Sequence, residues 1–258
     1  MTDTPVGDAP LLRLRGVAKH FGPVQALSGV DLDVPAGQVT ALVGDNGAGK
    51  STLIKSISGI WAIDGGEMQW KGKRVHLSSP RDAAHLGIAT VYQDLALCDN
   101  LDIVQNMFLG REVVKRRLLD EGSMETTAGR TLSDLSVTTV KSVRQLVGSL
   151  SGGQRQAVAV ARAVMEDAEL VILDEPTAAL GVSQTAMVLD LVTKLRDRGI
   201  AVLIISHNLN DVFAVADRIA VLHLGKMARS APKSELDTQS VVELITTGTT
   251  TEPAVTKG

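Results

Sequence analysis

Hydrophobic residues form two kinds of pattern along this chain. Continuous apolar runs at 39–43, 88–91, 170–173 and 200–205 are typical of strands buried on both faces of a parallel sheet. Between these runs, apolar residues recur at helical spacing, first at Val158, Ala161, Val164 and Met165 and later at Val188, Leu191, Val192 and Leu195. Strands that alternate with helices predict an α/β fold with a mainly parallel sheet.

The two ends of the chain differ from this middle part. Residues 11–17 and 30–34 alternate apolar and polar positions, which predicts an N-terminal antiparallel β region with 11–17 as an edge strand. Residues 1–10 are polar with two prolines, and residues 246–258 are rich in threonine. We predict that both ends are disordered tails.

The strand pattern stops between residues 94 and 163. Mixed apolar and charged segments there indicate helices, which we expect Gly122-Ser123 and Thr126-Thr127 to interrupt. We therefore predict a helical subdomain at 94–163, inserted into a core made of 11–93 and 164–245. The basic run Lys115-Arg116-Arg117 is interpreted as the solvated face of a helix.

Ser79, Ser151 and Ser183 are predicted to cap helix N-termini, because serine oxygens accept hydrogen bonds from free backbone N–H groups. Gly87 and Gly199 are predicted to end two of these helices.

Composition narrows the functional classes. The 258 residues carry a formal net charge of −3, with 44% hydrophobic and 21% charged residues, which is an ordinary globular balance. No basic excess indicates nucleic acid as a partner. The single cysteine, Cys98, excludes an internal disulfide, and no stretch approaches the ~18 apolar residues of a membrane span. The N-terminus lacks the pattern of a signal peptide, so we expect a cytoplasmic protein.

Residues 39–52 combine a predicted strand, a glycine-rich loop and the start of a predicted helix. The loop reads G-x-x-x-x-G-K-S, which in this context is a P-loop. Its glycines let successive N–H groups point at phosphate oxygens, while Lys50 reaches the β- and γ-phosphates and Ser51 can bind Mg²⁺. The sequence therefore predicts binding of a nucleoside triphosphate by Gly44, Asp45, Asn46, Gly47, Ala48, Gly49, Lys50, Ser51 and Thr52.

Polar residues also follow the other predicted core strands, at the ends where open α/β sheets bind ligands. Asp174 and Glu175 end one strand, more than a hundred residues after the P-loop, and indicate the second metal-holding element of a P-loop NTPase. Gln93 and His207 end two further strands. Each is a candidate for the same site, although a single glutamine or histidine is more often solvated or structural.

Two further segments have alternative interpretations. Phe21, beside Gly22-Pro23, is either an aromatic ring packed on the surface or a platform for a purine ring. The segment 150–154, Leu-Ser-Gly-Gly-Gln, is either an ordinary capped helix start or a helix N-terminus whose N–H groups bind an anion.

In their order along the chain these features resemble the nucleotide-binding subunit of an ATP-binding-cassette (ABC) transporter. The resemblance covers 11–245 and is carried by Phe21, GDNGAGKS, Gln93, LSGGQ, VILDEP and His207. The residues at 174–182 and 205–208 are further similar to single-cassette ATPases of bacterial sugar importers of the ribose/fructose type. The resemblance implies a P-loop NTPase (RecA-like) core with an inserted α-helical subdomain.

The family implies a role for each matching residue. Phe21 would stack on adenine, and residues 44–52 would hold the phosphates of ATP. Ser51 and Gln93 would ligate Mg²⁺, with Asp174 holding its water shell. Glu175 would be the general base, and His207 would fix the γ-phosphate and the attacking water. Four residues would complete the ATP site of a second subunit: Ser151, Gly152, Gly153 and Gln154.

The resemblance also implies partners and a location. Two copies would form a homodimer that closes on ATP and opens after hydrolysis. Transmembrane permease subunits would dock near Gln93 and the helical insert, and a periplasmic or extracellular solute-binding protein would act indirectly. The chain would lie at the cytoplasmic face of a bacterial inner membrane, in contact with it only through the permease. The implied function is ATP-driven import, with a monosaccharide as the cargo.

One position departs from the family. Gly181 stands where the usual S-A-L-D motif has its aspartate, which removes a carboxylate expected at the dimer interface.

Four alternatives bear on function. Another small solute is an alternative cargo. A cassette ATPase without a transporter would be expected to carry a coiled-coil insertion or a fused second cassette, neither of which is visible. A regulator without turnover would be expected to lack Glu175, and a GTPase would need an N-K-x-D motif, which is absent.

Overall fold

The computed structural model describes residues 9–137, 139–165 and 167–249, so the predicted tails lie largely outside the described residues. In this part of the chain six strands form a central sheet, in the spatial order β12 (Lys226–Pro232), β11 (Arg218–His223), β3 (Val39–Val43), β10 (Ala201–Ile205), β9 (Leu170–Asp174) and β6 (Ile88–Val91). The strands from β11 to β6 are parallel, and β12 is antiparallel to β11. The mainly parallel sheet is confirmed.

A second sheet comes from the N-terminal part and is antiparallel, as predicted. Its order is β2 (Val24–Val34), β1 (Leu12–Phe21), β4 (Gly65–Trp70) and β5 (Lys73–Val75). The prediction of an edge strand at 11–17 is wrong, because Leu12 lies opposite both Val34 of β2 and Trp70 of β4. The alternation in β1 marks a strand of a sheet with one buried face, whatever its place in that sheet.

Helices connect and cover these strands. Within the described residues they are α1 (Lys50–Ile57), α2 (Pro80–His85), α3 (Ile103–Phe108), α4 (Glu121–Asp134), α5 (Gly152–Val164), α6 (Val182–Asp197), α7 (Leu209–Val215) and α8 (Thr238–Thr247), with short 3₁₀ turns at Val147–Ser149 and Lys233–Glu235. Ser79 and Ser151 cap α2 and α5 as predicted, each in a reciprocal capping box.

Some local predictions in the helical region are wrong. Helix α4 runs without a break through 122–127, because the Asp120 side chain caps its start and its buried residues Met124, Ala128 and Leu132 form one apolar stripe. Helix α6 is capped by Gly181, two residues before the predicted Ser183. The run 115–117 lies in a short hairpin of β7 (Val114–Lys115) and β8 (Leu118–Leu119), so it is not a helix face.

The last helix extends further than predicted. Helix α8 includes Thr246 and Thr247, the first two residues of the predicted C-terminal tail. None of the helices in the described ranges is long and apolar enough to cross a membrane.

Successive residues of the central strands face two different cores. In β10, Val202 and Ile204 pack with α3 to α8, whereas Leu203 and Ile205 pack with the antiparallel sheet, α1 and α2. Because both faces are covered, these strands need apolar residues at every position, which explains their unbroken apolar runs. Their carboxyl ends therefore align along one sheet edge, where Asp174 lies opposite Ile205.

Candidate functional site

The loop between β3 and α1 has a backbone that its glycines permit. Gly44, Gly47 and Gly49 have φ angles of 157°, 80° and 102°. A Cβ atom on Gly44 would lie 2.2 Å from the carbonyl oxygen of Leu222, and one on Gly49 would lie 2.7 Å from that of Ala26. Close backbone approach and left-handed φ thus both require glycine here. The loop leads directly into the N-terminus of α1, where N–H groups favour an anion.

Lys50 lies across this loop. Its Nζ donates hydrogen bonds to the carbonyl oxygens of Gly44, at 2.7 Å, and Asp45, at 2.9 Å. Burial lowers the pKa of Lys50, and the negative charges of Glu175, Asp45 and Asp174 oppose that shift. The ammonium group is therefore placed at the loop where phosphate oxygens would bind.

The ends of three further strands meet this loop in one cavity of about 790 Å³. Gln93 follows β6, Asp174 and Glu175 end β9, and His207 follows β10, so the structure brings these predicted site residues together. The predicted residues that line the cavity are Gly44, Asp45, Asn46, Gly47, Ala48, Gly49, Lys50, Ser51, Thr52, Gln93, Asp174, Glu175 and His207.

The backbone of Glu175 is held in an unusual conformation, and its side chain contacts His207. Its φ is +50°, which is unusual for a residue with a side chain, and its N–H donates to the Ile205 carbonyl at 3.0 Å. Its Oε2 lies 2.7 Å from Nδ1 of His207. Backbone strain at a non-glycine residue in a cavity is a feature of functional sites.

The neighbouring carboxyl, Asp174, has a different environment. Burial raises its pKa, and the charge of Glu175 raises it further, while Lys50 and Lys55 lower it. Two carboxyls at the end of one strand thus differ in surroundings, which suits them to different roles.

A hydrogen bond supports the segment that follows the acidic pair. Thr177 Oγ1 lies 2.7 Å from Oδ2 of Asp211, a buried residue of α7. Helix α7 begins just after His207, so this bond ties the two strand-end segments to each other. Sequence reasoning missed both residues, since a threonine and an aspartate 34 positions apart carry no local pattern.

Phe21 does not line this cavity. Its ring packs edge-on against Trp61, with centroids 4.7 Å apart at 69°, and the residue is 40% exposed. The lining residues that sequence analysis missed are Val24, Gln25, Ala26, Ala178, Ile205, Leu224 and Gly225. Gly225 lies in the turn between β11 and β12, which the sequence indicates. Its N–H donates to the Ala48 carbonyl in the P-loop, and this long-range contact is not visible in the sequence.

The segment at the start of α5 also lies outside the cavity. Ser151 Oγ accepts from the Gln154 N–H, and Gln154 Oε1 accepts from the Ser151 N–H. Gly152 and Gly153 allow α5 to approach the start of α6, because a Cβ on Gly152 would lie 2.7 Å from Leu180. These four residues therefore form an ordered helix N-terminus apart from the P-loop of the same chain.

The donors that could hold a metal ion are oxygens. Ser51, Gln93 and Asp174 offer a hydroxyl, an amide oxygen and a carboxylate in one cavity, a set that suits Mg²⁺. The described residues contain no cluster of three His, Cys, Asp or Glu side chains that could hold a metal alone. A cation here would thus need phosphate oxygens and waters as further ligands, which is how Mg²⁺ usually binds beside nucleotides.

Comparisons with known proteins agree with this geometry. The sequence profile described as ABC transporter matches residues 27–178. The xylose/arabinose import ATP-binding protein of Sulfolobus acidocaldarius is 47% identical over 236 residues, which cover 92% of this chain and 94% of that protein. The fructose import ATP-binding protein of Rhizobium meliloti is 48% identical over 224 residues, 84% of this chain and 86% of that protein.

Solved structures give the same fold. An ATP-binding cassette of an ABC transporter in its ADP conformation superposes with a TM-score of 0.79 at 27% identity, covering 93% of this chain and 96% of that one. A nucleotide-free cassette gives a TM-score of 0.78 at 28% identity, covering 91% and 98%. With a profile match over more than half of its length and two near full-length relatives, the chain belongs to the ABC transporter family.

Proposed function

We propose that this chain is the ATP-hydrolysing subunit of a membrane importer and that its cargo is a monosaccharide. One observation carries the chemistry: the P-loop, the acidic pair and His207 line a single cavity, with Glu175 and His207 in hydrogen-bond contact. The import function is supported by the relatives, whose names describe import of xylose or arabinose and of fructose.

The residues of the cavity would divide the chemistry among them. The P-loop N–H groups and Lys50 bind and orient the phosphates, so that the γ-phosphate faces Glu175. Glu175 accepts the proton of the attacking water as general base. With its carboxylate ionised, Glu175 can only accept, so His207 donates from Nδ1 and orients it.

Ser51, Gln93 and Asp174 would hold Mg²⁺, which when bound neutralises charge on the phosphates. Phe21 would offer a stacking face for adenine once the base lies beside the Phe21–Trp61 pair. The separation of α5 from the P-loop supports a site completed by a second copy, whose Ser151, Gly152, Gly153 and Gln154 would close over the γ-phosphate. ATP would then hold the two copies together until hydrolysis.

Permease subunits would dock at a groove beside the nucleotide cavity. A groove of about 510 Å³ runs between the central sheet and the helical insert. Tyr92 and Asp94 line this groove, while Gln93 between them lines the nucleotide cavity. One short loop thus borders both sites, and a change at the γ-phosphate can reach a docked partner through it. The chain would then work at the cytoplasmic face of the membrane, with a solute-binding protein acting on the far side.

Hydrolysis by the purified chain tests the proposal. ATP turnover is expected to depend on Mg²⁺ and to rise when the permease subunits are present. Lys50→Ala should weaken ATP binding, because it removes the cation that faces the phosphates. Unchanged nucleotide affinity in that variant, or no hydrolysis by the wild-type chain with its permease, would contradict the assignment.

A further inference from the structure

A small hairpin between α3 and α4 exposes apolar side chains. In β7 and β8, Val114 lies opposite Leu119, and Lys115 lies opposite Leu118. Val114, Leu118 and Leu119 are 60%, 74% and 55% exposed. Because successive side chains of a strand point to opposite faces, Val114 and Leu119 share one face of the hairpin, and Leu118 lies opposite Lys115 on the other. Both faces therefore expose apolar side chains, which is a feature of interaction surfaces. We refer to residues 113–119 as the basic hairpin.

The turn of the basic hairpin contains residues that are unfavourable for its backbone conformation. Arg116 and Arg117 are the two central residues, with φ angles of 52° and 68°. Two-residue hairpin turns with positive φ at both positions strongly prefer Asn-Gly or Asp-Gly. Two arginines are among the less suitable residues for this backbone. Backbone strain that is kept at an exposed tip suggests a function for the side chains there.

The positive charge at this tip is not neutralised by any acidic side chain that the structure describes. Within residues 9–137, 139–165 and 167–249, no acidic side chain forms an ion pair with Lys115, Arg116 or Arg117. Three nearby acids bind elsewhere: Glu112 accepts from the Gly110 N–H, Asp120 caps α4, and Glu121 pairs with Arg144. The hairpin therefore presents three cations together with four exposed apolar side chains, those of Val113, Val114, Leu118 and Leu119.

The surroundings of the basic hairpin indicate which kind of partner binds it. Leu109, Gly110 and Arg111 line the groove proposed for the permease, and the hairpin follows them directly in sequence. Cytoplasmic loops of membrane proteins are themselves rich in Lys and Arg, so they would repel this tip. Anionic lipid headgroups attract such cations, and the interface accepts apolar side chains.

We propose that the basic hairpin binds anionic lipid headgroups at the membrane surface beside the permease. This adds a direct membrane contact to the permease-mediated one that the sequence predicts. It rests on the proposed function only for the location of the chain at a membrane. Lipid binding and ATP hydrolysis are measured separately, so either can fail without the other.

Vesicle sedimentation with the full chain tests the proposal. The wild-type chain should bind vesicles of phosphatidylglycerol and phosphatidylcholine, bind pure phosphatidylcholine vesicles much less, and lose binding at high salt. The double variant Arg116→Asn/Arg117→Gly should bind the anionic vesicles about tenfold or more weakly. The same variant should melt at a higher temperature, because Asn-Gly suits positive φ. Lower affinity together with higher stability excludes unfolding as the cause.

The matched control is Lys73→Gln/Arg74→Gln, which removes the same charge from the exposed strand β5. It should change vesicle binding by less than about twofold. The proposal is overturned if the wild-type chain does not bind anionic vesicles, or if neutral vesicles bind it equally. It is also overturned if the control weakens binding as much as the hairpin variant. Loss of permease co-purification by the hairpin variant, without vesicle binding by the wild-type chain, would assign the surface to a protein partner instead.

Discussion

Nδ1 of His207 lies 2.7 Å from Oε2 of Glu175, and this contact joins the ends of two adjacent parallel strands. The two side chains differ in exposure, since the Glu175 side chain is 16% exposed and that of His207 72%. The carboxylate is thus held inside the cavity by a ring that faces its opening. A carboxylate held in this way suits the role of general base proposed for Glu175, because it is oriented before a water molecule enters with the nucleotide.

Glu175→Gln should abolish turnover and leave ATP binding intact, because the amide keeps the shape of the side chain but cannot accept the proton. Turnover should fall by about a hundredfold to ten-thousandfold, while the dissociation constant for ATP stays within about threefold of wild type. Single-turnover hydrolysis and equilibrium ATP binding measure the two effects. If turnover remains near the wild-type rate, Glu175 is not the base.

His207→Ala is the companion variant to Glu175→Gln. It keeps the base but removes the donor that orients it, so turnover should fall while some hydrolysis persists. Equal and complete loss in both variants would mean that His207 does more than position the carboxylate.

Asp174→Asn should stabilise the chain at neutral and higher pH. The pKa of Asp174 is raised by burial and by Glu175, so ionisation is harder in the folded state than in the unfolded chain. Below the unfolded pKa, about 3.9, Asp174 is protonated in both states and carries no penalty; as pH rises through the folded pKa the wild type loses stability. The gain from Asp174→Asn should therefore be present at pH 8 and absent near pH 3.

Urea unfolding at both pH values measures this difference. Asp190→Asn is the control, because Asp190 forms an ion pair with Lys194 one helical turn away and its replacement should lower stability by a few tenths of a kcal/mol at pH 8. Asp174→Asn should also abolish Mg²⁺-dependent hydrolysis. Because the same variant should be more stable at pH 8, its loss of activity could not result from unfolding. A loss of stability at pH 8 would contradict the description of Asp174.

Two inactive variants should restore activity when mixed, if each ATP site uses two copies. Lys50→Ala removes the P-loop cation, and Ser151→Asp keeps an N-cap residue on α5 while adding a charge that repels the γ-phosphate. A mixed dimer pairs the intact P-loop of one copy with the intact α5 start of the other. Random pairing makes about half of the dimers mixed, so about a quarter of the sites should be active.

The control for the mixture is Ser79→Asp, which makes the same change at the N-cap of α2 and should leave hydrolysis unchanged. ATPase rates of each variant alone and of the mixture, after co-refolding or co-expression, give the result. Full activity of Ser151→Asp by itself, or of monomeric protein, would contradict the two-copy site.

Much of the site could be predicted because it rests on local pattern. The strands 39–43, 170–173 and 201–205 are buried on both faces, and their ends in a parallel sheet necessarily share one edge. The sequence therefore predicts that the P-loop, Asp174, Glu175 and His207 lie close together, and they line one cavity.

Two of the wrong predictions, those for β1 and for residues 115–117, concern a long-range strand pairing and an unusual turn. The interior place of β1 depends on β4, about fifty residues later. The basic hairpin has no Gly or Asn to indicate its turn, so its sequence is more typical of a helix. For β1, a tertiary contact decided a placement that local propensity did not.

Gly181 offers a test in which two substitutions should act in opposite directions. It caps α6 with φ −73° and ψ 163°, without a side-chain bond, and a Cβ there would meet nothing within 4 Å. Gly181→Asp should raise the free energy of unfolding by a few tenths of a kcal/mol, because its carboxylate can accept from a free N–H of α6. Gly181→Ala should lower it by up to about 1 kcal/mol, since alanine offers no acceptor. Thermal unfolding of both variants measures the effect.

Gly181→Asp also restores the carboxylate that the resemblance to the family implies at the interface of the proposed dimer. If the missing carboxylate weakens communication between two ATP sites, the dependence of hydrolysis rate on ATP concentration should become steeper in Gly181→Asp and stay as in wild type in Gly181→Ala. If the dependence on ATP concentration is the same in the wild type and both variants while their stabilities differ as expected, the aspartate acts only as a helix cap.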